Sequence, residues 1–268
     1  MPDSDPKRSD AVPTALISLN ILEALARADG PLGVSDLARQ LDYPKARIHR
    51  HLAGLKEHRY VTQSPSNHRY TIGWRLYLLG RQLSVRFDVL TIARPLMEQL
   101  RDEVGQTVVI TTFSENEVTV LDFVPGRSPL EIGLRPGTQF PLNAVSQGKV
   151  ALAFGPPHLL PRLVSHPLVA STPRTITDPA KLTDEIALIR QRGWADAPEE
   201  IFTGINAVAA PVYRDGGQFF GALAVVGSVH YLDSPPPPEI VASLRRAAAT
   251  LSESLGYDAA LAPREVGR

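Results

Sequence analysis

The sequence contains no cysteine. That excludes disulfide-stapled scaffolds, zinc ribbons, iron–sulfur centres and thiol nucleophiles together. No apolar run approaches the roughly 18 residues that a membrane-spanning helix requires, so neither a span nor a membrane partner is expected. The opening residues from Pro2 to Arg8 are polar, and no apolar stretch of the required length follows the basic pair Lys7-Arg8. A secretory signal is therefore not expected, and the expected setting is the cytoplasm. Catalytic signatures are also missing, since neither a Gly-x-Ser-x-Gly elbow nor a Gly-x-Gly-x-x-Gly turn occurs. Gly148-Lys149 has only the tail of a phosphate loop: Asn143 replaces the first glycine and Val150 the serine or threonine. His49 and His51 make a poor metal pair, because residues two apart on a helix point in different directions. No metal, no cofactor and no catalytic residue is expected.

What is present fits one or two globular domains: 268 residues, 43% of them apolar, with 24 prolines marking many loops and boundaries. The formal net charge of zero hides an uneven distribution. Between Pro44 and Arg75, seven bases (Lys45, Arg47, Arg50, Lys56, Arg59, Arg69 and Arg75) face one acid, Glu57, for a local net of +6. His49, His51, His58 and His68 lie in the same window. Such a patch fits a polyanion-binding module, or else an ordinary solvated basic surface.

Periodicity favours the first reading. Leu16, Leu19, Ile21, Leu22 and Leu25 recur at helical spacing until Asp29-Gly30-Pro31 breaks the helix. A short second helix is expected with Ser35 as N-cap and Leu37, Ala38 and Leu41 inward. After a turn at Asp42-Tyr43, Pro44 is expected at the first position of a third helix. There Ile48, Leu52 and Leu55 form the packing side, His51 lies toward the buried edge, and Ala46, His49, Arg50 and Ala53 face away. Two helices and a turn make a helix-turn-helix, which offers Lys45, Ala46, Arg47, His49 and Arg50 to the major groove of double-stranded DNA. Strands at 60–62 and 69–72 would form a wing whose tip, His68 and Arg69, could reach a phosphate or a minor groove. From Trp74 to Arg86 an amphipathic helix with Leu76, Leu79 and Leu83 is expected to pair with a second copy of the chain, because paired half-sites are read by symmetric dimers.

From Leu90 the pattern changes. A helix to Val104 stops at Gly105, and strands are expected at 107–113, 118–124 and 130–134. A small-residue segment, Asn143 to Lys149, opens a helix through Phe154. A later helix carries Leu182, Ile186 and Ile189, and a hairpin turns at Arg214-Asp215-Gly216-Gly217 before a last helix from Glu239 to Leu255. Strands grouped between helices indicate an α+β domain on an antiparallel sheet. His158 and His166 have no partner at useful spacing, and Asp196, Glu199 and Glu200 are expected on a solvated loop. Exposed amides of Asn143 to Gly148 at a helix N-terminus would attract a carboxylate, which makes that segment a candidate small-acid pocket.

Over about residues 14–257 the chain resembles the IclR family of bacterial transcription regulators. The resemblance is carried by Pro44-Lys45-Ala46-Arg47-Ile48-His49-Arg50, Tyr70-Thr71-Ile72-Gly73, Arg135-Pro136-Gly137 and the segment Leu142 to Lys149. Ile189 to Ala195, Glu199-Glu200 with Gly204, and Ala207 to Val212 complete it. It implies a tail at 1–13, a winged helix-turn-helix at 14–73, a linker helix at 74–89, a GAF-like effector domain at 90–257 and a tail at 258–268. It further implies homodimers or dimers of dimers, and promoter control by a small organic acid. Carried over by position, the effector lining would include Leu142, Asn143, Ser146, Gln147, Gly148, Trp194, Ala197, Ala207, Ala224 and Val226.

This sequence departs from the family pattern at informative places. Ser-Thr often stands where Ala46-Arg47 stand, and leucine where His51 stands, so no operator sequence can be borrowed. Members that bind very small keto acids tend to place an aspartate near Ala197, a cysteine near Ala207 and serines near Ala224 and Val226. Four apolar residues here favour a larger acid, aromatic or otherwise largely apolar, with Ser146, Gln147 and nearby amides holding its carboxylate. An enzyme acting on a small carboxylate, with a passenger DNA-binding domain, is the alternative from another class. A ligand-free dimeric DNA-binding protein is the third reading.

Overall fold

A computed structural model describes residues 14–84, 88–127 and 134–258. The expected tail at 1–13, most of that at 258–268, the strand expected from Leu130 (Leu134 aside) and the side chain of Leu83 lie outside the described residues. The chain divides after residue 87 into two compact units.

The first unit consists of α1 (Thr14–Arg27), α2 (Val34–Leu41), α3 (Lys45–Glu57), β1 (Val61–Gln63), β2 (Tyr70–Ile72) and α4 (Trp74–Ser84). Ile17, Ile21, Leu37, Ile48 and Leu52 are wholly buried and close the core of the three-helix cluster. The buried stripe of α1 is thus Ile17, Ile21, Ala24 and Leu25, and Leu16 and Leu19 face outward. Ser35 does not cap α2. Gly33 occupies the N-cap, and the Asp36 carboxylate accepts its backbone N–H at 3.1 Å. Pro44 sits one residue earlier than expected, as the N-cap of α3, so Lys45 is the first helical residue. The turn between them works because Asp42 adopts a left-handed conformation, φ 53°, a region that Asp tolerates better than most residues. β1 and β2 pair antiparallel, Val61 opposite Ile72, as a wing.

The second unit carries α5 (Asp88–Val104), β3 (Thr107–Phe113), β4 (Glu117–Val124), β5 (Gln139–Pro141), α6 (Ser146–Phe154), α7 (Leu159–Val164) and α8 (Pro179–Arg192). They are followed by β6 (Ala195–Asp196), β7 (Ile205–Arg214), β8 (Gln218–Ser228) and α9 (Pro238–Ser254). Six antiparallel strands form one sheet in the order β5-β4-β3-β8-β7-β6. The period of two along each strand assigns the faces. Val108, Ile110, Val208, Ala210, Leu223 and Val225 point to the side covered by α5 and α9. Ala209, Ala222 and Ala224 point to the other, where they meet α6, α7 and α8. Alanine dominates this second face because α6 lies close to it. α8 ends where expected, on Gly193 at φ 81°. The fold class is therefore α+β, a winged helix-turn-helix followed by an antiparallel-sheet domain.

Candidate nucleic-acid interface and ligand cavity

On α3, burial of Ile48, His51 and Leu52 turns the opposite side outward. Lys45, Ala46, His49 and Arg50 are exposed and Arg47 half-buried, all within the first two turns. None of the four basic side chains among them makes an ion pair given in the structure to an acid of its own unit, so the helix presents uncompensated donors. His68 is exposed at the wing in a left-handed conformation, φ 56°. Arg69 is engaged elsewhere: its guanidinium donates to the Pro31 carbonyl at 2.9 Å and lies 3.4 Å from Asp36. That bond braces the wing on α2 and leaves His68 as the freer of the two expected tip residues.

His51 packs behind this surface, with Nδ1 2.8 Å from the Ser18 hydroxyl of α1. Its Nε2 is buried without a hydrogen-bond partner among the described residues. Burial, with the nearby charges of Arg50 and Arg47, holds the imidazole below the ordinary histidine pKa, so it stays neutral near pH 7.

In the second unit a small, partly open cavity of about 30 Å³ lies against the α6 side of the sheet. Its walls come from Leu134, Phe140, the start of α6 (Val145, Gln147), the segment after β6 (Ala197, Ile201, Phe202) and the strands (Ile205, Ala207, Val226). Gln147 is the one polar side chain in that set, and there is no charged one. Ser146 Oγ donates to Gln147 Oε1 at 3.2 Å, which fixes the amide. Phe140 and Phe202 meet edge to face at 6.2 Å beside it.

The cavity gathers only part of the expected lining. Gln147, Ala197, Ala207 and Val226 are in it; Leu142, Asn143, Ser146, Gly148, Trp194 and Ala224 are not. Asn143 is buried and spends its amide on the carbonyls of Val169 and Ile176, at 2.9 and 3.0 Å. Gly148 is needed for close approach: a Cβ there would stand 2.2 Å from the Leu142 carbonyl oxygen. Leu142 and Ala224 belong to the core beneath α6. Trp194 packs with the α5–α9 core, where the Arg192 guanidinium stacks on its ring at 4.2 Å.

Of the acids expected on a solvated loop, Asp196 and Glu200 are buried and Glu199 is half-buried. Asp196 is buried, bonded to Arg192 at 3.0 Å and to the Ser234 hydroxyl at 2.9 Å. Glu199 accepts the Gly204 N–H at 2.9 Å and pairs with Arg174. Glu200 is 5% exposed and takes its ion pair from Lys149, itself 1% exposed. Burial pushes the Glu200 carboxyl above its ordinary pKa, and the Lys149 ammonium opposes that shift.

Residues 14–65 match the IclR helix-turn-helix domain model, and residues 82–253 the model of the bacterial transcriptional regulator IclR C-terminal domain. The chain belongs to the IclR family. Among curated relatives, the probable transcriptional regulator SauR of Cupriavidus necator is 34% identical over 212 residues, 79% of this chain and 84% of that protein. The glycerol operon regulatory protein of Streptomyces griseus is 31% identical over 248 residues, 88% and 93% of the two chains. Among solved structures, the IclR of Thermotoga maritima superposes with a TM-score of 0.72 at 26% identity, over 91% of this chain and 99% of that one. An IclR homologue from Microbacterium hydrocarbonoxydans, solved with 4-hydroxybenzoate, gives 0.80 at 24% identity over the same shares. The relatives are regulators, and no enzyme family is indicated.

Four residues in and beside the cavity are not marked by the sequence for the positions they take. Phe140 and Phe202 reach the cavity from short segments without periodicity. Lys149 stood in the incomplete phosphate loop and Glu200 in the acid cluster, and only the tertiary structure makes them partners. Asn143 and Gly148, read in sequence as part of a small-acid pocket, have close-packed structural roles instead, and Glu200, read as a solvated loop acid, is buried.

Proposed function

We propose that this IclR-family regulator binds promoter DNA through α3 and the wing, and that a small, largely apolar organic acid in the cavity modulates that binding. The observation that carries the ligand reading is the lining itself, apolar throughout except for Gln147. An aromatic ring suits the chemistry of the lining, with Phe140 and Phe202 alongside and Ala197, Ala207 and Val226 as a smooth floor, and its entry requires the walls to move apart. A polyhydroxyl ligand would leave its groups unpaired, at about 1–3 kcal/mol each. The carboxylate is placed at Gln147, whose Oε1 is occupied by Ser146 and whose amide N–H groups are the donors on offer. The first-turn amides of α6 add their dipole.

On DNA, Lys45, Arg47, His49 and Arg50 meet bases or phosphates in the major groove, Ala46 allows close approach, and His68 reaches from the wing, with Arg69 supporting it. α4 exposes Trp74, Tyr77, Leu78 and Leu79, an apolar surface suited to pairing with the same helix of a second copy. Among the described residues no helix is long and apolar enough to cross a membrane, consistent with a cytoplasmic regulator.

The test is a thermal-shift screen of carboxylic acids, with 4-hydroxybenzoate and benzoate set against glyoxylate and pyruvate. At about 100 times its dissociation constant a ligand adds roughly 2.7 kcal/mol, enough to raise the melting temperature by several degrees. A shift with the aromatic acids is expected. A shift confined to the keto acids would overturn the apolar-cavity reading.

A further inference from the structure

Lys149 and Glu200 meet in the interior and belong to neither function so far assigned. The Lys149 ammonium donates to Glu200 Oε1 and, at 3.2 Å, to the Asp196 carbonyl. Glu200 Oε2 has no partner of good hydrogen-bond geometry among the described residues, although the Ile176 backbone N–H lies near enough to favour the charged carboxylate. A buried ion pair is weak evidence for stability, because desolvation offsets its attraction, and an acceptor left unmade adds to the cost. Two well-packed apolar side chains would serve simple packing better, so the pair calls for a positional explanation.

Its position supplies one. Lys149 lies two residues beyond Gln147 on α6, and Glu200 immediately precedes Ile201. The bond therefore ties the α6 wall of the cavity to residues 197–205, the lip that carries Ala197, Ile201, Phe202 and Ile205. The outer side of the lip is held more lightly. Thr175 Oγ1 donates to the Glu200 carbonyl at 2.6 Å and Thr172 Oγ1 to that of Glu199 at 2.7 Å. The lip is also tied by the Glu199 N–H to the Ile205 carbonyl at 2.7 Å, the Ala197 N–H to the Ala207 carbonyl at 3.1 Å, and the Glu199 carboxylate to the Gly204 N–H and Arg174.

We infer that Lys149 and Glu200 form an internal clamp that positions the cavity lip against α6 and so controls how long a ligand is retained. The retention part rests on reading the cavity as a ligand site; the positioning part does not. Glu200→Gln removes the charge and keeps the shape. Lys149→Met removes the donor, and Lys149→Arg restores a cation in nearly the same place.

Amide hydrogen exchange on the full-length chain tests the clamp without any ligand. In Glu200→Gln and Lys149→Met, residues 197–205 are expected to exchange about tenfold faster, while α9 and the helix-turn-helix unit keep their rates. Lys149→Arg is expected to recover part of the protection. An unchanged lip overturns the proposal, and so does acceleration of the whole second unit together, which would make the pair a general strut. Calorimetry with 4-hydroxybenzoate on the wild type is a separate readout. Its failure would sink the ligand reading and leave the exchange result to decide the clamp.

Discussion

Along α3 the side chains proposed to meet DNA fall within six consecutive residues, Lys45 to Arg50, whereas the cavity collects its wall from segments between Leu134 and Val226. The first surface is exposed and basic; the second is recessed, partly open, and lined without a charged side chain. The contrast follows from the ligands each suits. A polyanion is attracted at a distance and bound through released counterions, so its site needs exposed cations and tolerates solvent. A small apolar acid gains affinity only where water is excluded, so its site needs many walls and few polar groups. Damage should therefore travel differently. A change on α3 alters binding and leaves the fold, while a change near the cavity tends to disturb packing as well.

The largest effect expected is at the α6 wall. Gly148→Val would drive a side chain into the Leu142 carbonyl, where even a Cβ has only 2.2 Å. Overpacking of this kind is expected to destabilise the second unit by about 3 kcal/mol or more, read as a lowered melting transition by calorimetry. DNA contacts on α3 should survive as long as the first unit stays folded. A neutral outcome would mean that α6 can shift away from Leu142, and that the cavity wall is softer than its packing indicates.

Arg50→Ala sharpens the other half of the comparison. Specific promoter binding should weaken by about 1–3 kcal/mol if Arg50 reads a base, with no change in melting temperature. Equal losses on promoter and random DNA in fluorescence anisotropy would make it a phosphate contact instead. Between these extremes stand two neighbouring positions on β8. Val226→Ser, in the cavity wall, is expected to weaken aromatic-acid binding by about 1–2 kcal/mol through lost apolar contact. Ala224→Ser lies under α6 in the core, so it should lower stability and leave ligand preference alone. The reverse pattern would move the ligand site deeper beneath α6.

The same contrast governs how much the sequence reveals. The helix-turn-helix was legible because its signals are local: Pro44 opens α3, Ile48 and Leu52 mark its buried side, and the bases crowd into one window. In the second unit most strands and helices could be placed, since the β-branched run of β3 or the 214–217 turn is also local. The cavity could not be read so directly. Asn143 and Gly148 look like binding residues in sequence and Glu200 like a solvated acid, and what they contact is set by segments far away in the chain. Asn143 turns to Val169 and Ile176, and Glu200 turns to Lys149. Gln147, Ala197, Ala207 and Val226 reach the cavity wall, and nothing in their local pattern separates them from Ala224, one strand position inward.

The smallest effect expected is one of pH, and it falls on the supporting side of α3. His51 is buried, bonded to Ser18 and pressed by the charges of Arg50 and Arg47, so its folded pKa lies below the ordinary value of 6.5. For a group whose folded pKa is lowered, the unfolded chain takes up the proton first. Its stabilising contribution is therefore complete above pH 6.5 and is lost as pH falls from there through the folded pKa. Denaturant melts of the full-length chain at pH 7.5 and 5.5 should show the first unit weakening on acidification. His51→Leu, an apolar residue of similar volume, should remove part of that loss. Every other histidine is common to the two proteins and cancels in the difference. An identical acid loss in the two would mean that His51 is spared protonation by rearrangement around Ser18, and that α3 rests on a more adaptable base than the cavity does.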